Sequence, residues 1–235
     1  MVVAWHVIAA RTTAPPAVPS VFGGSASVVA VLVLLLEFGM LRQALLRDQI
    51  RLYAAQSAAV AVLALIIAAA RHVPELYFLA ALSAGLKVAG VPAVMRRVLR
   101  GAGEEIAGSG TLGLATTVLL AIAVGAFGFF AVGTLGIAGA TLPETALGLA
   151  VAVVLVAFVL MIVRRDVVSQ AIGFFSLENA ISLAALVVAS GLPLILETAF
   201  LFDLLVAVVV FGMLIRAHHV RAESLSTADL TRLRG

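Results

Sequence analysis

The sequence predicts an all-α integral membrane protein, a bundle of about seven transmembrane helices, and three observations carry that prediction. Hydrophobic residues make up 63% of the 235 positions and charged residues 11%, with a mean hydropathy of +1.22, outside the range of a soluble domain. The apolar residues form continuous runs of the length that a bilayer's hydrocarbon core requires, about 20 residues each. The arginines collect at alternate ends of these runs, as expected for cytoplasmic connections.

Taken in order, residues 1–25 precede the first run. They contain "TTAPPAVPS" and lack a basic leader and an A-x-A site, so a flexible N-terminal arm is expected, not a cleaved signal. Spans are expected at 26–45, 49–70, 75–98, 111–132, 144–163, 167–190 and 193–215, followed by a cytoplasmic tail at 218–235. Helices are required because backbone polar groups in lipid need partners within the segment, and the runs lack the strict alternation of barrel strands. Pro74, "GAGEEIAGSG" at 101–110, "GTLGIAGATLP" at 133–143 and "GLP" at 191–193 supply the breaks. Gly125 and Gly128 in the fourth span suit close helix packing.

Orientation follows from twelve arginines on one side: Arg42, Arg47, Arg51, Arg96, Arg97, Arg100, Arg164, Arg165, Arg216, Arg221, Arg232 and Arg234. Only Arg11 and Arg71 fall on the other. The N-terminus is therefore expected outside and the C-terminus in the cytoplasm. A faint internal echo accompanies this pattern. Nineteen residues separate Gln56 from Glu75 and Glu178 from Glu197, and each unit follows a basic turn, "LLRDQIR" or "VRRDVVSQ". Two related three-helix units, 26–98 and 144–217, are expected, with the connector helix 111–132 between them so that both copies share one orientation.

Composition also narrows the chemistry. The chain has no cysteine, which excludes disulfides, thiolate metal sites and iron–sulfur ligation within it. Its basic balance sits at span ends and points to membrane orientation, not to nucleic acid. His218 and His219 point about 100° apart on a helix with no third ligand near in sequence, a poor metal site.

The buried ionisable groups carry the functional reading. Glu178 lies about eleven residues into the sixth span, roughly 16 Å from its cytoplasmic end, with Asn179 beside it and Ser182 one turn on. Asp203 and Lys87 lie equally deep in the seventh and third spans. A carboxylate or ammonium at such depth is costly and marks a proton relay or a buried charge network more often than packing. Glu37 stands five residues before Arg42, where a functional role and anchoring at the interface are equally open. Gln56 and Ser57 read as interhelical glue. Glu75, Glu144 and Glu197 lie near outer span ends, where water can reach them.

At this point "RRDVVSQAIGFFSLENAISLAALVV", "ETAFLFDLLVAVVVFGMLIR" and "STADLTRLRG" closely resemble the end of hydrogenase-4 component E, a membrane subunit of formate-hydrogenlyase-type complexes. The resemblance is clearest over 164–235 and looser through "LYAAQS" and "LKVAGVP". Its core, a basic turn followed by G-x-x-x-x-E-N, also looks like the K subunit of respiratory complex I and the C subunit of multi-subunit sodium/proton antiporters. In those relatives a membrane glutamate falls where Glu178 stands, while Asp203 and Lys87 match the family's aspartate of the last span and its K-V-x-x-x-P segment. Gln56 occupies the place of complex I's other membrane glutamate, a departure that speaks against two equivalent proton sites.

The resemblance implies a membrane-arm subunit of a group 4 [NiFe]-hydrogenase or complex I-like assembly in a prokaryotic cytoplasmic membrane. It would be non-catalytic and would contribute Glu178, Asp203 and Lys87 to proton or cation translocation coupled to electron transfer elsewhere. No cofactor is expected in this chain; nickel–iron and iron–sulfur centres would reside in partners. Those partners would be antiporter-like and quinone- or anchor-like membrane subunits and a peripheral hydrogenase-like module. Two other readings stand beside it: a structural membrane subunit, or a component of a stand-alone multi-subunit cation/proton antiporter.

Overall fold

Apolar faces with nothing to separate them from neighbouring helices are what assemble this chain. The computed structural model describes residues 20–72, 74–102, 106, 110–135, 144–188, 209 and 212. Helix α1 (Ser20–Arg42) is followed by α2 (Leu46–Arg71), α3 (Pro74–Ser83), a π-helical segment (Ala84–Gly90), α4 (Val91–Ala102), α5 (Leu114–Leu135), α6 (Glu144–Val163) and α7 (Val167–Val188). Five of these helices, α1, α2, α5, α6 and α7, are long and apolar enough to cross a membrane. The chain is thus an all-helical, multi-pass membrane protein among its described residues. The seventh expected span lies outside them except for the helical Val209 and Gly212.

Residues 74–102, where the third span is expected, form one continuous helical run with a change of pitch inside it. Val91 N–H donates to Leu86 O, five residues back, which is the π pattern. Pro92 supplies the reason. It has no N–H to give to residue 88, and its ring would press on that carbonyl in an α-helix. Widening the turn before the proline relieves both demands. Hydropathy over 75–98 does not show this change of pitch; its signal in the sequence is the proline of "AGLKVAGVP".

Helix α1 packs on α2 and α6, α2 also packs on α3, the π segment and α7, and α6 packs on α5 and α7. Glycines set the closest approaches. A Cβ on Gly128 would stand 2.7 Å from Leu155 Cδ1, and one on Gly173 would stand 2.6 Å from Met161 Cγ and 3.3 Å from the Ala157 carbonyl oxygen. The second contact involves backbone as well as side chain, so it cannot be relieved by a rotamer change alone. Gly173→Ala should therefore cost about 1–3 kcal/mol, read as a lower thermal midpoint of the detergent-solubilised protein. An unchanged midpoint would show that α6 and α7 can part at no cost.

The arginine-rich turns are knitted together by their own side chains. Arg164 Nη2 donates to Leu41 O at 2.7 Å and Gln43 O at 2.6 Å, filling carbonyls that the end of α1 leaves open. Gln49 Nε2 reaches the same Gln43 carbonyl at 3.0 Å. Asp166 caps α7 by accepting from Ser169 N–H at 2.7 Å. Partial burial lowers the Arg164 guanidinium from its ordinary pKa, and neighbouring Asp166 opposes that shift.

Candidate functional site

Two apolar clusters divide the height of the bundle. One contains Ala30 and Val33 of α1, Val60 and Leu63 of α2, Ala80 of α3, and Ala180 and Leu183 of α7. The other contains Met40 of α1, Tyr53 of α2, Val91 of α4 and Phe175 of α7. On each of these helical runs the buried residues between the two clusters are polar: Glu37 on α1, Gln56 and Ser57 on α2, Lys87 on the π segment, and Ser176, Glu178 and Asn179 on α7. A polar layer is thus enclosed between two apolar ones.

The layer's first part joins α1, α2 and α7 through Gln56. Its Nε2 donates to Glu37 Oε2 at 2.8 Å and lies 3.4 Å from Val33 O, while its Oε1 accepts from Ser176 Oγ and Asn179 Nδ2, each at 3.0 Å. The Val33 carbonyl can only accept, so the amide N–H₂ must face α1 and the oxygen α7. Asn179 Nδ2 also donates to Ser57 Oγ at 2.8 Å. Ser176 Oγ makes a short contact with Glu37 Oε2. Glu37 is 0% exposed, and its Oε1 has no hydrogen-bond partner among the described residues. The donors of Gln56 and Ser176 thus hold the Glu37 carboxylate inside the bundle, away from the protein surface.

The second part joins α7 to the π segment. Lys87 Nζ donates to Ser182 Oγ at 3.0 Å, and Ser182 Oγ donates to the Glu178 carbonyl at 2.8 Å. The Glu178 carboxylate lies within electrostatic reach of the Lys87 ammonium and the Tyr53 hydroxyl. Successive residues on a helix diverge by about 100°, which lets Asn179 serve the α1–α2 side while Glu178 meets Lys87. Ser182 supports the lysine and binds the backbone of Glu178, not its carboxylate. Asp203 and Glu197 lie outside the described residues, as do His218, His219 and the side chain of Glu75. Glu144 is exposed, as its place at a span end implied.

Sequence reasoning missed Ser176 and the seam to which it belongs. Gln49 pairs with Ser169 at 2.8 Å and Gln56 with Ser176 at 3.0 Å, each pair separated by 120 positions. Equal offsets mean that α2 and α7 run parallel and in register, with polar contacts one heptad apart. Seven-residue spacing returns to the same helix face, and a polar residue at such positions fixes the register of paired helices. "DQIRLYAAQ" and "VSQAIGFFS" show that spacing once the two helices are set side by side.

Removing the amide at the centre should loosen the layer. Gln56→Leu keeps most of the volume but leaves the buried Glu37, Ser176 and Asn179 short of partners, at a cost of at least about 2 kcal/mol. Ser57→Ala, which removes one acceptor, should cost about 1 kcal/mol. The measurement is thermal unfolding in detergent; equal midpoints for Gln56→Leu and the parent would show that the layer contributes nothing to cohesion.

No protein-family model matches the chain, and no solved structure matches it. Over 65 residues it is 46% identical to the uncharacterized protein Rv0085 of Mycobacterium tuberculosis, a stretch covering 28% of this chain and 30% of that protein.

Proposed function

We propose that this chain is a membrane-arm subunit of a group 4 [NiFe]-hydrogenase or complex I-like assembly in a prokaryotic cytoplasmic membrane, and that its polar layer moves protons in step with electron transfer in partner subunits. The observation that carries the reading is the layer itself: two carboxylates, one ammonium and a set of hydroxyls and amides buried on four helical runs between apolar clusters. Packing alone does not need that many costly groups at one height.

Its hydrogen bonds have the ambiguity that proton exchange requires. Ser176 carries one hydroxyl hydrogen and faces two acceptors, Glu37 Oε2 and Gln56 Oε1. With Glu37 ionised, the serine donates to the carboxylate. With Glu37 protonated, the carboxyl can donate to the serine, which then turns to Gln56. Glu178 lies within electrostatic reach of Lys87, so protonation of the acid changes the field on the base, and in low dielectric such coupling is long-ranged. Apolar clusters above and below direct exchange sideways, toward neighbouring subunits. Asp203 is assigned to the same path by the family resemblance, and the nickel–iron and iron–sulfur centres to partners.

Isolation under mild detergent tests the assignment. Hydrogenase-like and antiporter-like subunits should co-purify; antiporter subunits alone would favour the stand-alone antiporter, and an isolated chain would contradict a subunit role. The orientation is tested separately: a reporter fused after Gly235 should be active only in the cytoplasm, and one within 133–143 only outside. Reversed signals would overturn it.

A further inference from the structure

A second polar feature lies away from the buried layer. Between the first turns of α2 and the length of α4 there is a cavity of about 470 Å³ lined by Arg47, Arg51, Ala93, Arg96, Leu99 and Arg100. Four guanidinium groups thus surround one opening, and Asp48 beside it accepts from one of them, Arg51 Nη1, at 2.8 Å. Arg96 and Arg100 spend only Nε on the helix, donating to Pro92 O at 3.1 Å and Arg96 O at 3.4 Å. Among the described residues their terminal Nη groups are not engaged in hydrogen bonds. Those groups are the ones that grip an oxyanion in bidentate fashion.

We propose that this cleft binds the phosphate of an anionic phospholipid headgroup. Phosphate is the chemistry the four arginines select. A lipid is its source because the cleft sits at the ends of membrane-spanning helices, on the arginine-rich side, with Ala93 and Leu99 offering an apolar wall where an acyl chain would descend. Basic pockets between transmembrane helices at that level are suited to anionic headgroups. The amino end of α2 adds its own partial positive charge to the same opening. The site does not depend on the function proposed for the polar layer, since no residue is shared.

The test uses the full-length protein, delipidated in detergent and titrated with phosphatidylglycerol or phosphatidylcholine, with bound lipid counted by native mass spectrometry. Phosphatidylglycerol should be retained on the order of tenfold more tightly. Arg96→Gln with Arg100→Gln should abolish that preference, whereas Arg165→Gln, on the same side but outside the cleft, should keep it. If the double glutamine variant does not insert, Arg96→Lys with Arg100→Lys keeps the charge and should lose part of the preference with the bidentate geometry. A parent without preference, or a preference untouched in the double variant, would overturn the site. Inorganic phosphate that displaces the lipid and gives the parent the same thermal stabilisation would overturn the lipid assignment in favour of a soluble anion.

Discussion

Lys87→Met should destabilise the protein by roughly 3–5 kcal/mol, and most of that loss should disappear when Glu178→Gln is added. Methionine preserves much of the lysine's apolar stem but removes the ammonium that Ser182 holds at 3.0 Å and that lies within electrostatic reach of Glu178. Breaking a buried charge pair from one side leaves the other charge uncompensated, which is the origin of the cost. Neutralising the acid as well removes the orphan. The double-mutant cycle of thermal midpoints should therefore give a coupling energy of at least about 2 kcal/mol. A cycle that closes at zero would mean that Lys87 and Glu178 act independently, and the relay would lose its second half.

The all-helical character and the long apolar helices among the described residues were legible because the bilayer imposes a length and the backbone imposes helices. Residues 144–163 were expected as a span and α6 occupies those positions, while α7 occupies 167–188 of the expected 167–190, whose last two residues lie outside those described. Lys87 and Glu178, singled out by their distance from the arginines, are both buried within the protein. What a single chain cannot display is which faces meet. Glu37, five residues before Arg42, leaves a functional role and anchoring equally open in the sequence, and only the fold brings alongside it the helix whose Gln56 claims its carboxylate. Ser176 has no charge to draw notice, and its role follows from a heptad shared with α2. The π segment was hidden because hydropathy is blind to hydrogen-bond register; only Pro92 encoded it.

The departure at Gln56 also changes meaning. Read along the sequence, a glutamine in place of the second membrane glutamate removes a proton site. In the fold, Gln56 Nε2 donates to Glu37 Oε2 at 2.8 Å, so α1 brings a carboxylate beside that glutamine. If both acids exchange protons, Glu37→Gln and Glu178→Gln should each impair translocation, with Glu37→Gln keeping the hydrogen-bond capacity that Gln56 and Ser176 require.

The most direct test of the central claim is proton translocation by the assembled complex carrying Glu178→Gln. The amide preserves size and hydrogen bonding but cannot exchange a proton, so it separates a relay from a packing residue without emptying the site. In sealed vesicles with a pH-sensitive dye, the account predicts an assembled complex whose redox turnover persists or slows while proton translocation falls by at least about tenfold, the range expected when a positioned proton-transfer group is lost. Glu178→Asp, one methylene shorter, should be intermediate. Full assembly with parental translocation in the glutamine variant would contradict the account and leave Glu178 as a packing residue.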